Sequence, residues 1–167
     1  MTRDRAVAPP SSPHITRAGW QALHAEQEQL WQRRREVVRH LAEAAAEGDR
    51  SENAEYIYRK KQLREMDRRI RYLQKRLPTL KIVDRPPTDT AQIFFGAWIA
   101  VEDQHGERSL YRIVGADEFD PKRNWISIDS PMARALMQRR VDDEVSVETP
   151  GGQVRLIILD VSYIDPT

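Results

Sequence analysis

Asp49 and Glu52 are the pair in this sequence whose type and spacing could do chemistry. They stand in the stretch AAAEGDRSENAEY, and across residues 43–55 Glu43, Glu47, Asp49, Glu52 and Glu55 meet a single Arg50. Two readings fit the pair. Asp at a helix N-cap with Glu three residues on is a variant of the capping box, which satisfies free N–H groups and suits the helix dipole. On spacing alone this is the simpler reading. The other is metal chemistry. Mg²⁺ held by only two carboxylates keeps most of its waters and binds weakly, and the end of a long, narrow rod offers no pocket and no His. Such a pair makes no private active site. Delivered into another enzyme's site, it could help hold a second metal and orient a water for phosphodiester hydrolysis. The readings are compatible, because a cap can aim the carboxylates.

The elements on either side show how the pair would be delivered. From about Arg17 to Glu47, residues Trp20, Leu23, Gln27, Leu30, Arg34, Val37, Leu41 and Ala44 follow a 3-4 spacing, and six of the eight are apolar. Gln27 and Arg34 are the polar seam positions, and Trp31 and Val38 lie beside the seam in position to share its burial. A second helix starts near Ser51 and carries Leu63, Met66, Ile70, Leu73, Leu77 and Leu80 at the same rhythm. Two such helices joined by a few residues are predicted to lie antiparallel, with Gly48 as the stop of the first. Thr16 is placed to cap the first helix. At ~1.5 Å per residue the hairpin is roughly 45 Å long, with the acidic stretch at its far end.

The second helix is strongly basic. Residues 59–76 hold nine Lys/Arg against Glu65 and Asp67. Lys61, Arg64, Arg68, Arg71 and Lys75 fall on one stripe away from the apolar seam, over roughly 21 Å. A solvated coiled-coil surface normally mixes signs. A stripe of nearly one sign suits an anion, and a single-stranded nucleic acid backbone is the natural ligand. Arg33, Arg34, Arg35 and Arg39 add charge on the first helix at less ordered spacing.

After Pro78 and the linker DRPPTDTAQ the period changes. GAWIAVED, SLYRIVGAD, WISIDS, EVSVET and VRLIILDVSYI read as short strands, with hairpin turns at His105-Gly106 and Pro150-Gly151-Gly152. SPMARALMQRR reads as a short helix with Ser130 as N-cap and Pro131 at the first helical position. The expected fold class is α+β: an antiparallel two-helix coiled-coil hairpin, then a small, mostly antiparallel sheet domain with one short helix. The expected divisions are a disordered extension over 1–15, the coiled coil over 16–80, a linker over 81–92, with Lys81–Val83 extended against the next domain, and the sheet domain over 93–167.

Composition narrows the function further. The chain has 167 residues, a net charge of +1 and no Cys, so disulfides, a thiol nucleophile and Cys-ligated zinc are excluded. Mean hydropathy is −0.70, very polar for a single globule and suited to a thin solvated rod. Charge is split: residues 16–80 carry 15 Lys/Arg and 10 Asp/Glu, whereas 93–167 carry 8 and 13. Two halves of opposite sign face different surroundings. No apolar run is long enough to span a membrane and no signal-peptide core opens the chain, so a cytoplasmic protein is expected.

EGDRSENAEYIYRKKQLREMDRRIRYLQKRL resembles the tip and second helix of the bacterial Gre transcript-cleavage factors. FFGAWIAVED, YRIVGADEFD and ISIDSPMARALM resemble that family's C-terminal domain, in order. The likeness runs from about Thr16 to Ile164, and GDRSENA, SPMARAL and the long basic stripe point within the family to its GreB branch. The resemblance implies that the hairpin enters the secondary channel of a backtracked bacterial RNA polymerase. Asp49 and Glu52 match the tip acids, which would stabilise a second Mg²⁺ and the attacking water in the polymerase's own active centre, with Ser51 and Asn53 shaping the tip and Tyr56 standing near it. Mg²⁺ would be supplied there, and the protein would need no cofactor of its own and be no enzyme by itself. The stripe would hold the extruded 3′ nascent RNA. The C-terminal domain would be FKBP-like and dock at the channel rim through Asp129, Ser130, Pro131 and Met132. The likeness to the FKBP-like fold does not confer prolyl isomerase activity.

Two other classes compete. A rod of the same shape could occupy the channel as an inhibitor, against which the Asp49/Glu52 pair argues. A structural coiled-coil module could use its seam on another helix, but the seam is complete within one hairpin, so a monomer is expected.

Overall fold

The computed structural model describes residues 10–47 and 53–167. Its elements in chain order are β1 (His14–Ile15), α1 (Arg17–Ala46), α2 (Ala54–Arg76), β2 (Lys81–Ile82), β3 (Trp98–Asp103), β4 (Arg108–Val114), β5 (Trp125–Ser127), α3 (Pro131–Leu136), β6 (Glu144–Thr149) and β7 (Gly152–Ser162). The chain divides into a helical unit, Trp20–Leu80, and a sheet unit made of the residues up to Gly19 with Lys81–Thr167.

In the helical unit the 3-4 spacing sets what is buried. Leu23, Val37 and Ala44 of α1 and Met66, Ile70 and Leu73 of α2 are the buried positions, and the remaining seam residues are half-buried. The helices run antiparallel, since Glu26 meets Arg69 while Ala44 meets Asn53. Trp31 and Val38 do not share the burial expected of them; each is 40% exposed. Pro78, which cannot continue an α-helix, sits in a 3-10 turn, Leu77–Thr79, that closes α2.

In the sheet unit, strands alternate by the period of two. The order is β5-β4-β3-β7-β6, with β4–β5 parallel and the other neighbours antiparallel. Ile99, Val101, Ile113, Val145, Val147, Leu156 and Ile158 bury one face, covered by Ala133 and Leu136 of α3. Off that face, Trp98, Arg112 and Trp125 stand in register across three strands. The Arg112 guanidinium packs 4.8 Å from the Trp98 ring and 5.0 Å from that of Trp125. Burial there pulls its pKa below the usual value.

The N-terminal segment departs from expectation. Residues 1–9 lie outside the described residues, but Pro10–Ile15 are not a disordered extension. β1 pairs in parallel with β2, Lys81 N–H and Val83 N–H donate to the Pro13 and Ile15 carbonyls, and Ile15 is fully buried. Lys81–Val83 are accordingly part of this unit. Glu118 fixes the segment from below, accepting from Thr16 N at 3.1 Å, Gly115 N at 2.9 Å and the Thr16 hydroxyl. Thr16 Oγ1 in turn accepts from Gly19 N at 3.0 Å, the helix cap expected of it.

Gly115 is required by this packing. A Cβ there would stand 2.3 Å from the His14 carbonyl oxygen, a backbone atom in β1. Gly115→Ala is expected to cost about 1–3 kcal/mol, the usual range for overpacking. Gly151→Ala, whose Cβ would meet only Thr149 Oγ1 at 3.9 Å, should stay within ~0.5 kcal/mol. Denaturant midpoints of the two variants check this.

Candidate functional site

Asn53 bridges the last turn of α1 and the start of α2. Asn53 Oδ1 accepts from Tyr56 N at 3.1 Å and caps α2, while Asn53 Nδ2 donates to the Ala44 carbonyl of α1 at 2.8 Å. The first satisfies an N–H that a helix start leaves unpaired; the second reaches a carbonyl in the last turn of α1 that also accepts from Glu47 N at 3.3 Å. The cap of α2 is therefore Asn53, not Asp49 with Glu52. A carboxylate could accept the Tyr56 N–H but has no donor for Ala44, whereas an amide serves both. Asn53→Ala is expected to cost about 1–2 kcal/mol, and Asn53→Asp to recover part of that through the acceptor alone. Thermal unfolding followed by the helical circular-dichroism signal checks both.

Asp49, Ser51 and Glu52 lie outside the described residues, as does Gly48; in sequence they fall between Ala46 and Asn53. Tyr56 is half-buried on the first turn of α2, with Lys60 Nζ 5.8 Å from its ring centroid.

Two sets of cations stand out in the helical unit. Arg69 grips Glu26 through two bonds of 2.6 and 2.9 Å, and Arg34 Nε donates to Asp67 at 2.7 Å. These flank the seam and tie the helices. Lys61, Arg64, Arg68, Arg71 and Lys75 are all exposed, and none pairs with an acid among the described residues. Arg59, at a seam position, belongs to neither set: it meets Glu55 at 3.7 Å and Gln62 at 3.2 Å. The five-residue stripe is thus a surface of uncompensated positive charge, suited to phosphates.

The sheet unit brings Asp129, Ser130, Pro131 and Met132 together at the start of α3. Ser130 Oγ accepts from Ala133 N at 3.1 Å as N-cap, Pro131 is exposed, and Met132 packs against the core. Asp129 Oδ2 accepts from Ser12 N at 2.9 Å, a contact that nothing in the spacing of the two residues announces. Among the described residues no group of three or more His, Asp or Glu could hold a metal, and no helix is long and apolar enough to cross a membrane.

Residues 14–82 match the family model "Transcription elongation factor, N-terminal", and residues 88–163 match "Transcription elongation factor, GreA/GreB, C-term". The chain belongs to the GreA/GreB family of transcription elongation factors. Within that family its relatives are of the GreB kind. The transcription elongation factor GreB of Yersinia pestis is 58% identical over 153 residues, covering 91% of this chain and 90% of that protein. The GreB of Xanthomonas axonopodis pv. citri is 56% identical over 165 residues, covering 98% of each. These relatives are named for transcription elongation, not for a reaction of their own. Among solved structures, a GreA/GreB factor from Nitrosomonas europaea is 19% identical over 91% of this chain and all of that one, with a TM-score of 0.42. The GreA factor homolog 1 of Thermus thermophilus is 26% identical over 89% and 97%, with a TM-score of 0.41. With scores that low, neither superposition bears on the arrangement of this chain.

Proposed function

We propose that this GreA/GreB family member binds bacterial RNA polymerase, inserts its helical hairpin into the secondary channel, and stimulates the polymerase's own cleavage of 3′ RNA in backtracked complexes. The observation that carries this reading is the stripe Lys61–Arg64–Arg68–Arg71–Lys75: exposed, without an ion-pair partner among the described residues, and on the helix that follows the acidic stretch. RNA extruded backward is a single-stranded polyanion, which such a stripe attracts and aligns.

Asp49 and Glu52 would then be brought to the reacting phosphodiester. Beside them the Asn53 amide is occupied by Ala44 and Tyr56, and Glu55 pairs with Arg59. The described neighbours therefore add no ready third ligand, and two carboxylates suit a shared Mg²⁺ whose other ligands come from the polymerase. When bound, that ion would polarise the attacking water. The role of this chain is to position: Asn53 fixes the start of α2, the tip acids orient, and the stripe holds RNA in line. Asp129–Met132 would dock at the channel rim, with Pro131 the exposed member.

The lack of native Cys offers a clean test. A short photo-crosslinker on Arg50→Cys, added to stalled complexes, should label the polymerase active centre and the 3′ RNA. Labelling confined to the outer surface of the polymerase would contradict insertion.

A further inference from the structure

We propose that Trp31 of α1 is a base-stacking platform for the single-stranded RNA held by the α2 stripe, an inference that rests on the RNA-holding reading above. Trp31 and Val38 are each 40% exposed. They stand seven residues apart, so they share one flank of α1. Arg34 identifies that flank. Its guanidinium carbon lies 6.0 Å from the centroid of the Trp31 ring, and its Nε donates to Asp67 of α2 at 2.7 Å. Trp31 therefore sits where α1 closes against Asp67. One turn to either side of Asp67 on α2 stand Arg64 and Arg71, both exposed members of the stripe. The Arg69–Glu26 bridge ties the helices separately.

A single surface apolar residue ordinarily needs no explanation. Trp31 differs in its company. Phosphates would take the arginines, and the bases of the same strand need a flat, polarisable surface within a few ångströms of them. An indole offers that to any base, whatever its identity, as RNA of arbitrary sequence requires. Arg34, pinned by Asp67, holds its place beside the ring.

The test compares affinity for two stalled polymerase complexes, one with a long extruded 3′ RNA and one with none. Trp31→Leu keeps apolar bulk and removes the ring; Trp31→Phe keeps an aromatic face. Trp31→Leu should weaken binding to the backtracked complex by about tenfold and Trp31→Phe by much less, with binding to the complex without extruded RNA unchanged for both. Unchanged binding of Trp31→Leu to the backtracked complex would overturn the proposal. So would equal loss on both complexes, which would make the ring a polymerase contact. Reversal of Arg64, Arg68 and Arg71 to Glu separates the two levels. If that reversal weakens binding to neither complex, or to both equally, the RNA-holding reading falls and this proposal with it. If the reversal weakens binding to the backtracked complex alone and Trp31→Leu does not, only the Trp31 assignment falls.

Discussion

Asp49→Ala and Glu52→Ala should each lower RNA cleavage in stalled, backtracked complexes by about 100-fold, the usual effect of removing a group that stabilises charge at a reacting centre. Binding to the polymerase should be unchanged, because neither acid belongs to the stripe or to the Asp129–Met132 turn. Two carboxylates that share one ion act as a unit, so the double variant should be little worse than either single one. A multiplicative loss would mean that the two acids act separately. The Asn53 cap sharpens this prediction. Since α2 is capped by Asn53 through Tyr56 N, loss of cleavage in the acid variants cannot be put down to an uncapped α2. Asn53→Ala supplies the comparison, a variant expected to lose stability first.

Charge reversal of Arg64, Arg68 and Arg71 to Glu should weaken engagement of long extruded RNA by at least about tenfold and flatten its salt dependence. For single strands each phosphate contact contributes about −0.7 to the slope of log K against log salt, so losing three should reduce the slope by about two. All three side chains are exposed and without ion-pair partners among the described residues. The fold should therefore tolerate the change, each substitution within ~0.5 kcal/mol. Binding and cleavage measured over a series of salt concentrations provide the check. An unaltered slope would mean that the stripe does not meet phosphates.

Much of the fold was legible because long periodic patterns leave little choice. The seam from Trp20 to Ala44, its partner from Leu63 to Leu80, and the alternation in β6 and β7 each place a set of side chains on one face. The caps at Thr16 and Ser130 follow from hydroxyls at helix starts. The misreadings have local causes. β1 and β2 have two residues each, too few for a period, and the Pro and Ser around β1 resemble disorder. Asp49 and Glu52 match a capping box, but the cap among the described residues is Asn53, whose paired donor and acceptor meet the end of α1 and the start of α2. Trp31 beside the seam reads as core from spacing alone, yet it is 40% exposed, with Arg34, bound to Asp67, beside its ring. The bonds of Glu118 to Thr16 join residues 102 apart, beyond any local signal. At the candidate site the placing of the stripe on an exposed face was legible from its spacing, whereas the use of the tip acids inside a polymerase and the docking role of the Asp129–Met132 turn come from family likeness.

Stimulated cleavage can be read in stalled, backtracked bacterial elongation complexes carrying 5′-labelled RNA, mixed with the intact protein and Mg²⁺, then given nucleotides. A shortened labelled transcript with a new 3′ end, which then extends, is the expected result. A transcript left at its original length, or a complex more firmly arrested than without the protein, would rule out stimulated cleavage.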